Sequence, residues 1–173
     1  MSARSFSSAV LGLTLTTTAH AAPFDVYRGA CLDTGADGAK VRALAAAQKW
    51  DKLTEAERDR LAPGSTALEG WAIAKDGGRY LVSISGGTAS GMAGERSGAN
   101  ILSCSVLTPK ADEQVAAKAY GGYLKRPAST KETVEGTTTY TWSIQDPSNL
   151  TLHYLVGGPS LNGLSLSVSS IRK

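Results

Sequence analysis

Two cysteines, Cys31 and Cys104, stand 73 positions apart (104 − 31) in this chain, and they constrain its folding more than any other feature. Their meaning depends on the residues before them. Arg4 is the one charge ahead of Asp25. Ala9, Val10, Leu11, Leu13 and Leu15 make a short apolar stretch diluted by threonine, and Ala19-His20-Ala21 supplies a small-x-small pattern. This is the grammar of a secretory leader over residues 1–21, with cleavage leaving one unit over 22–173. Export places the thiols in an oxidising compartment, where pairs persist as disulfides, and two cysteines allow one connectivity. A Cys31–Cys104 bridge is expected; closing such a loop stabilises by roughly 4 kcal/mol in the chain-entropy model. Two unpaired structural thiols are the alternative reading.

The same residues exclude other arrangements. A lipid-anchored cysteine does not fit, because Arg28 lies three residues before Cys31. The apolar stretch is too short and too rich in Ser and Thr to span a bilayer, which takes roughly 20 apolar residues. No later run is longer, so membrane insertion of the processed chain is not expected. Two distant cysteines and one histidine outside the leader, His153, lack metal-ligand spacing, so neither a metal nor a cofactor is expected. The chain carries 18 basic residues, one of them Arg4, against 15 acidic. Its cations are scattered without interleaved aromatics, which argues against nucleic acid as a partner.

The 152 residues after the leader (173 − 21) suit one core. Asp37 caps a helix reaching about Gln48, with Val41, Leu44, Ala45 and Gln48 on its apolar face. Thr54-Glu55-Ala56-Glu57 is a capping box, and Pro63-Gly64 ends that second helix. The period then drops to two. Strands are read over 68–75 and 79–85, joined by the Asp76-Gly77-Gly78 turn, and over 101–107, with Cys104 on the face of Leu102 and Val106. Thr108-Pro109 opens a helix over about 110–124. Strand-like runs follow at 132–135, 138–144, 150–156 and 164–171. The fold class is α+β: a single twisted antiparallel sheet of about six to seven strands with helices on one face, in the order α-βββ-α-βββ(β). The face bearing Ser83, Ser85, Ser103, Ser105, Thr139, Thr141, Ser165 and Ser167 is read as solvated. Trp71/Ile73 and Trp142/Ile144 open equivalent hairpins in the two halves, which suits either a duplication or a shared hairpin requirement.

Cys31, Gly35-Ala36-Asp37, Val41, Trp50, Trp71, Cys104, the helix after Pro109 and Trp142 occur here in an order that resembles a group of uncharacterised small exported proteins of alphaproteobacteria. The resemblance spans nearly all of 22–173 and is architectural. It implies a helix-to-sheet disulfide and a periplasmic address, and it carries over no activity and no site residues.

Candidate chemistry is sparse. His153 is the natural general base, but alternation places it with Thr151, opposite Leu152 and Tyr154, as a solvent-facing strand residue. No G-x-S-x-G elbow singles out a serine. Ser170-Ile171-Arg172-Lys173 matches S-x-x-K at the chain end, where burial is not expected. Asp112-Glu113, Asp33 and Asp37 read as helix-terminal charges, and Asn149-Leu150-Thr151 as a glycosylation sequon in a suitable host. The glycine-rich run from Gly86 to Gly94 lacks the lysine of a phosphate-binding loop. It is either a plain inter-strand loop or a contact surface for a ligand or partner. In the second case Gly86, Gly87, Ser90, Gly91, Met92 and Arg96 form the site, where the 86–98 loop meets the helix layer. These features favour a periplasmic or secreted non-enzymatic module binding an unidentified protein or small molecule. A small hydrolase using His153 and an inhibitor or immunity-type protein are the alternatives.

Overall fold

The computed structural model describes residues 22–62, 68–88, 98–109, 111–161 and 163–172. The leader assigned to residues 1–21 lies outside them.

The chain opens with α1 (Ala22–Tyr27), which runs into a π-helical turn over Arg28–Leu32. Helix α2 (Gly38–Ala47) follows, its Asp37 carboxylate accepting from the Ala39 and Lys40 amides. After β1 (Asp51–Lys52) comes α3 (Glu55–Leu61), which starts in the expected Thr54/Glu57 capping box. Next come β2 (Glu69–Lys75), β3 (Gly78–Thr88), β4 (Asn100–Thr108) and α4 (Glu113–Leu124). The chain finishes with β5 (Thr130–Val134), β6 (Thr137–Gln145), β7 (Asn149–Gly158) and β8 (Gly163–Arg172).

All neighbouring strands pair antiparallel in one sheet, ordered β1-β2-β3-β4-β8-β7-β6-β5. The two meanders meet at β4 and β8 in the middle, and α4 carries the chain from β4 at the centre to β5 at the far edge. The fold is α+β, but its sheet has eight strands rather than six to seven. The added strand is β1, whose two residues are too short to show any alternation. The helix-before-β5 boundary also moves: α4 starts at Glu113, capped by the Asp112 carboxylate on the Val115 amide. Thr108 turns its hydroxyl to the Pro109 carbonyl instead.

The helices are not confined to one face. One face carries Trp71, Tyr80, Val82, Ile84, Cys104, Val106, Tyr140, Trp142, Leu155, Leu166 and Val168, which form the main core with α1, α2 and α4. Helix α3 serves the opposite face, where Leu61 packs on Leu53, Ala72, Leu81 and Leu107. Glycine at position 70 permits this: a Cβ there would collide with the Val82 carbonyl and lie 2.6 Å from Leu53 Cδ1. Arg79 fastens α3 by reaching Glu57 at 2.5 Å and Asp51 at 3.0 Å. Elsewhere this face is a serine ladder, with Ser83 bonded to Ser105 and Ser103 to Ser169, both at 2.8 Å.

Cys31 and Cys104 are disulfide-bonded, both fully buried, with Cα atoms 5.4 Å apart. The bridge ties the π-helical turn to β4, the middle of the sheet. Replacing both cysteines by alanine should lower unfolding stability by up to about 4 kcal/mol, less any strain or residual structure. A urea titration reads this as a lower midpoint. An unchanged midpoint would show that the bridge adds nothing to noncovalent packing.

Candidate functional site

Strand β7 holds the main departure from its sequence pattern. Leu150, Leu152, Tyr154 and Val156 do share a face, but it is the outer one. Asn149, Thr151, His153 and Leu155 point to the helix layer. Register sets this: His153 stands between Trp142 on β6 and Val168 on β8, both core residues. His153 is therefore 5% exposed, not solvent-facing. Leu150 and Leu152 recover burial outside by packing on Ala99, Ile101 and Ile171.

One helix meets the imidazole directly and a second supports it. Tyr120 of α4 places its hydroxyl 3.0 Å from His153 Nδ1 and 3.2 Å from the Ser167 carbonyl, and it is hydrogen-bonded to the Tyr27 hydroxyl of α1. A phenol has one proton and two lone pairs. Tyr27 O–H donates to Tyr120, and Tyr120 gives its own proton either to the Ser167 carbonyl, with His153 Nδ1–H donating to the phenol, or to His153 Nδ1. In both arrangements Nε2 is the ring nitrogen without a hydrogen-bond partner among the described residues. Burial raises the pKa of both tyrosines, so neither phenol ionises near neutrality. Burial, helped by the positive charge of Arg126, pulls His153 down to about 4. The imidazole is neutral at pH 7.

His153 lines a cavity of about 250 Å³ beside the disulfide. A second polar chain runs along the same wall. Arg172 Nε donates to Ser170 Oγ at 3.2 Å, Ser170 Oγ to Asn149 Oδ1 at 2.9 Å, and Asn149 Nδ2 to Thr151 Oγ1 at 3.0 Å. The order is directional, so Thr151 accepts within the chain and keeps its own proton to donate. The cavity thus presents a neutral imidazole at His153, a donor at Thr151 and positive charge on its exposed side at Arg172.

Ser170 is buried, which corrects its reading as an unplaced chain-end residue. Pairing of β8 with both β4 and β7 carries order through Arg172. Lys173 lies outside the described residues. Tyr27, Tyr120, Asn149 and Arg172 are site residues that sequence reasoning missed. The one available signal was the alternation of Asn149, Thr151 and His153, which suits a solvated face equally well.

The glycine-rich candidates fall elsewhere. Gly86 and Gly87 are strand residues rather than loop, paired with Leu102 and Ile101. Gly86 lines a cleft of about 320 Å³ against the start of α2, where Arg42 grips Glu69 at 2.8 Å. Ser90, Gly91, Met92 and Arg96 lie outside the described residues. Among the described residues no group of three or more His, Cys, Asp or Glu could hold a metal. No described helix is long and apolar enough to cross a membrane. No protein-family model, curated protein or solved structure matches the chain.

Tyr120→Phe leaves the Tyr27 hydroxyl and His153 Nδ1 short of a partner and takes a second bond from the Ser167 carbonyl, and should cost about 2–4 kcal/mol. Tyr27→Phe removes one donor and should cost about 1 kcal/mol. Denaturant unfolding of the two variants checks the ranking; equal losses would refute Tyr120 as the hub.

The histidine gives a pH signature. Above pH 6.5 His153 is neutral folded and unfolded. Below it the unfolded chain takes a proton that the folded chain refuses, so stability falls until about pH 4. After discounting for solvent reaching through the cavity, the loss is about 2 kcal/mol. Glu57, held at about 2 by its hydrogen bond with Arg79, loses its contribution only below its ordinary 4.5. His153→Gln should flatten the window between pH 6.5 and 4 and leave the more acidic one; an unaltered profile contradicts the assignment.

Proposed function

We propose that this protein is an exported, non-enzymatic binding module that takes a small polar molecule in the His153 cavity. Three things support export: the leader pattern, the resemblance to exported alphaproteobacterial proteins, and a buried disulfide, which fits an oxidising compartment. The observation that carries the binding reading is the pair of uncommitted polar atoms, His153 Nε2 and the Thr151 hydroxyl proton, on two oriented hydrogen-bond chains around one cavity. Preorganised donors and acceptors lower the ordering cost of binding. A neutral imidazole nitrogen and a hydroxyl donor beside Arg172 suit a small molecule with a carboxylate next to a hydrogen-bonding group. The volume lies below the roughly 300–1,000 Å³ typical of drug-sized ligands, which points to a small metabolite.

A hydrolase remains the second reading, because Ser170 and His153 line the same cavity. Against it, Ser170 Oγ is committed to Asn149 and Arg172, and an imidazole at about 4 is a weak base. An inhibitor would want an apolar patch with anchoring residues. Among the described residues the large hydrophobics that stand exposed are Tyr123 and Val134.

Amino acids, short peptides and hydroxy acids should be screened by thermal shift and calorimetry against the purified protein, with ester and amide hydrolysis assays alongside. Expected is saturable binding without turnover, weakened about tenfold by Thr151→Val or Arg172→Ala, the loss of roughly one hydrogen bond to a charged group. Turnover that Ser170→Ala abolishes would replace this reading with the hydrolase; binding indifferent to both variants would move the site elsewhere.

A further inference from the structure

An open groove of about 560 Å³ lies along the Ala117–Gly121–Lys125 flank of α4, bordered by residues 126–128 and by Tyr140 and Trp142 of β6. Its walls combine two chemistries. Ala117, Pro127, Ala128 and the two aromatic residues make an apolar lining, and Lys118, Lys125 and Arg126 bring three cations to it. No described lining residue is acidic. Lys131, outside this lining, holds its Nζ 5.0 Å from the Tyr140 ring centroid.

Cations near a helix C-terminus offset its dipole, and that accounts for some of this charge. Lys125 is the C-cap itself, in the left-handed region at φ +53°, the conformation that Lys49 also adopts after α2. The helix dipole does not call for the apolar lining beside these cations. Trp142 adds a third observation: its indole N–H is buried and has no hydrogen-bond partner in the protein, among described residues the one such side-chain atom. A buried donor without an acceptor is uncommon.

We propose that this groove is a second binding site, separate from the His153 cavity, for a small anion with an apolar ring, an aromatic carboxylate in chemical class. The ring displaces water from the Ala117, Pro127 and Ala128 wall, and the carboxylate faces Lys118, Lys125 and Arg126. Charge complementarity selects this occupant: three cations beside an apolar lining repel a cationic amphiphile and leave a neutral one without its polar contacts.

The test uses the purified full chain, naphthoate as the probe and naphthalenemethanol as its uncharged counterpart. Binding is read by calorimetry and by the indole N–H resonances, with Trp142 assigned through Trp50→Phe and Trp71→Phe. Naphthoate should bind saturably and shift the Trp142 resonance. Naphthalenemethanol should bind about tenfold more weakly. Lys118→Gln with Lys125→Gln and Arg126→Gln should weaken naphthoate by at least about tenfold, and Lys118→Gln alone, which touches no helix cap, by a smaller factor in the same direction. All three side chains lie at the surface, and circular dichroism checks that each variant folds. Absence of naphthoate binding, equal binding of the alcohol, or affinity indifferent to the substitutions would each overturn the proposal. The Thr151→Val protein should bind naphthoate normally, which keeps failure here distinct from failure at the His153 cavity.

Discussion

A covalent link between the π-helical turn and the central strand β4 is the constraint on which the rest depends. Helix α1 is six residues long and could not hold itself in place in water. Bound through Cys31 to Cys104, it is delivered to the sheet beside α4, and Phe24, Val26 and Tyr27 are buried there. The aromatic cluster follows: Phe24 against Tyr120 with centroids 5.5 Å apart, and Tyr120 against Trp142 at 4.6 Å. Through this docking α1 becomes one wall of the core, and the Tyr27 hydroxyl reaches Tyr120.

Polar groups inside a low-dielectric core raise the stakes of that docking. Tyr27, Tyr120 and His153 come from three elements and share one hydroxyl as a hub. The two phenols lack water to fall back on, so the network holds only while all three elements are in register. The same burial that makes an incomplete network costly keeps the imidazole neutral. Structure and candidate chemistry therefore rest on the same few bonds.

Much of this was legible beforehand. The capping box at Thr54 and Glu57, the Asp37 cap, the Asp76-Gly77-Gly78 hairpin and the long strands could all be read locally, because each is decided by neighbours within a few residues. Strand β1 was not, since its two residues gain strand character only by pairing with Trp71 and Ala72. The placement of α3 on the opposite face was not legible either. It follows from Gly70 leaving room for Leu53, a contact between elements with no signature in either one. On β7, Leu150, Leu152 and Tyr154 looked like the inward set because they are the more apolar one.

By itself, the amino-acid order determined the class of fold, the antiparallel hairpins and the only pairing open to two cysteines, because these follow from local periodicity, turn chemistry and counting. The tertiary structure alone decided which side of β7 is inside, and with it the burial of His153 and Ser170 and the existence of the cavity. Alternation divides a strand into two faces but does not say which one the helices will cover. That choice falls to lateral partners, here Trp142 and Val168, and to a helix layer held over them by a bond between residues far apart in the chain.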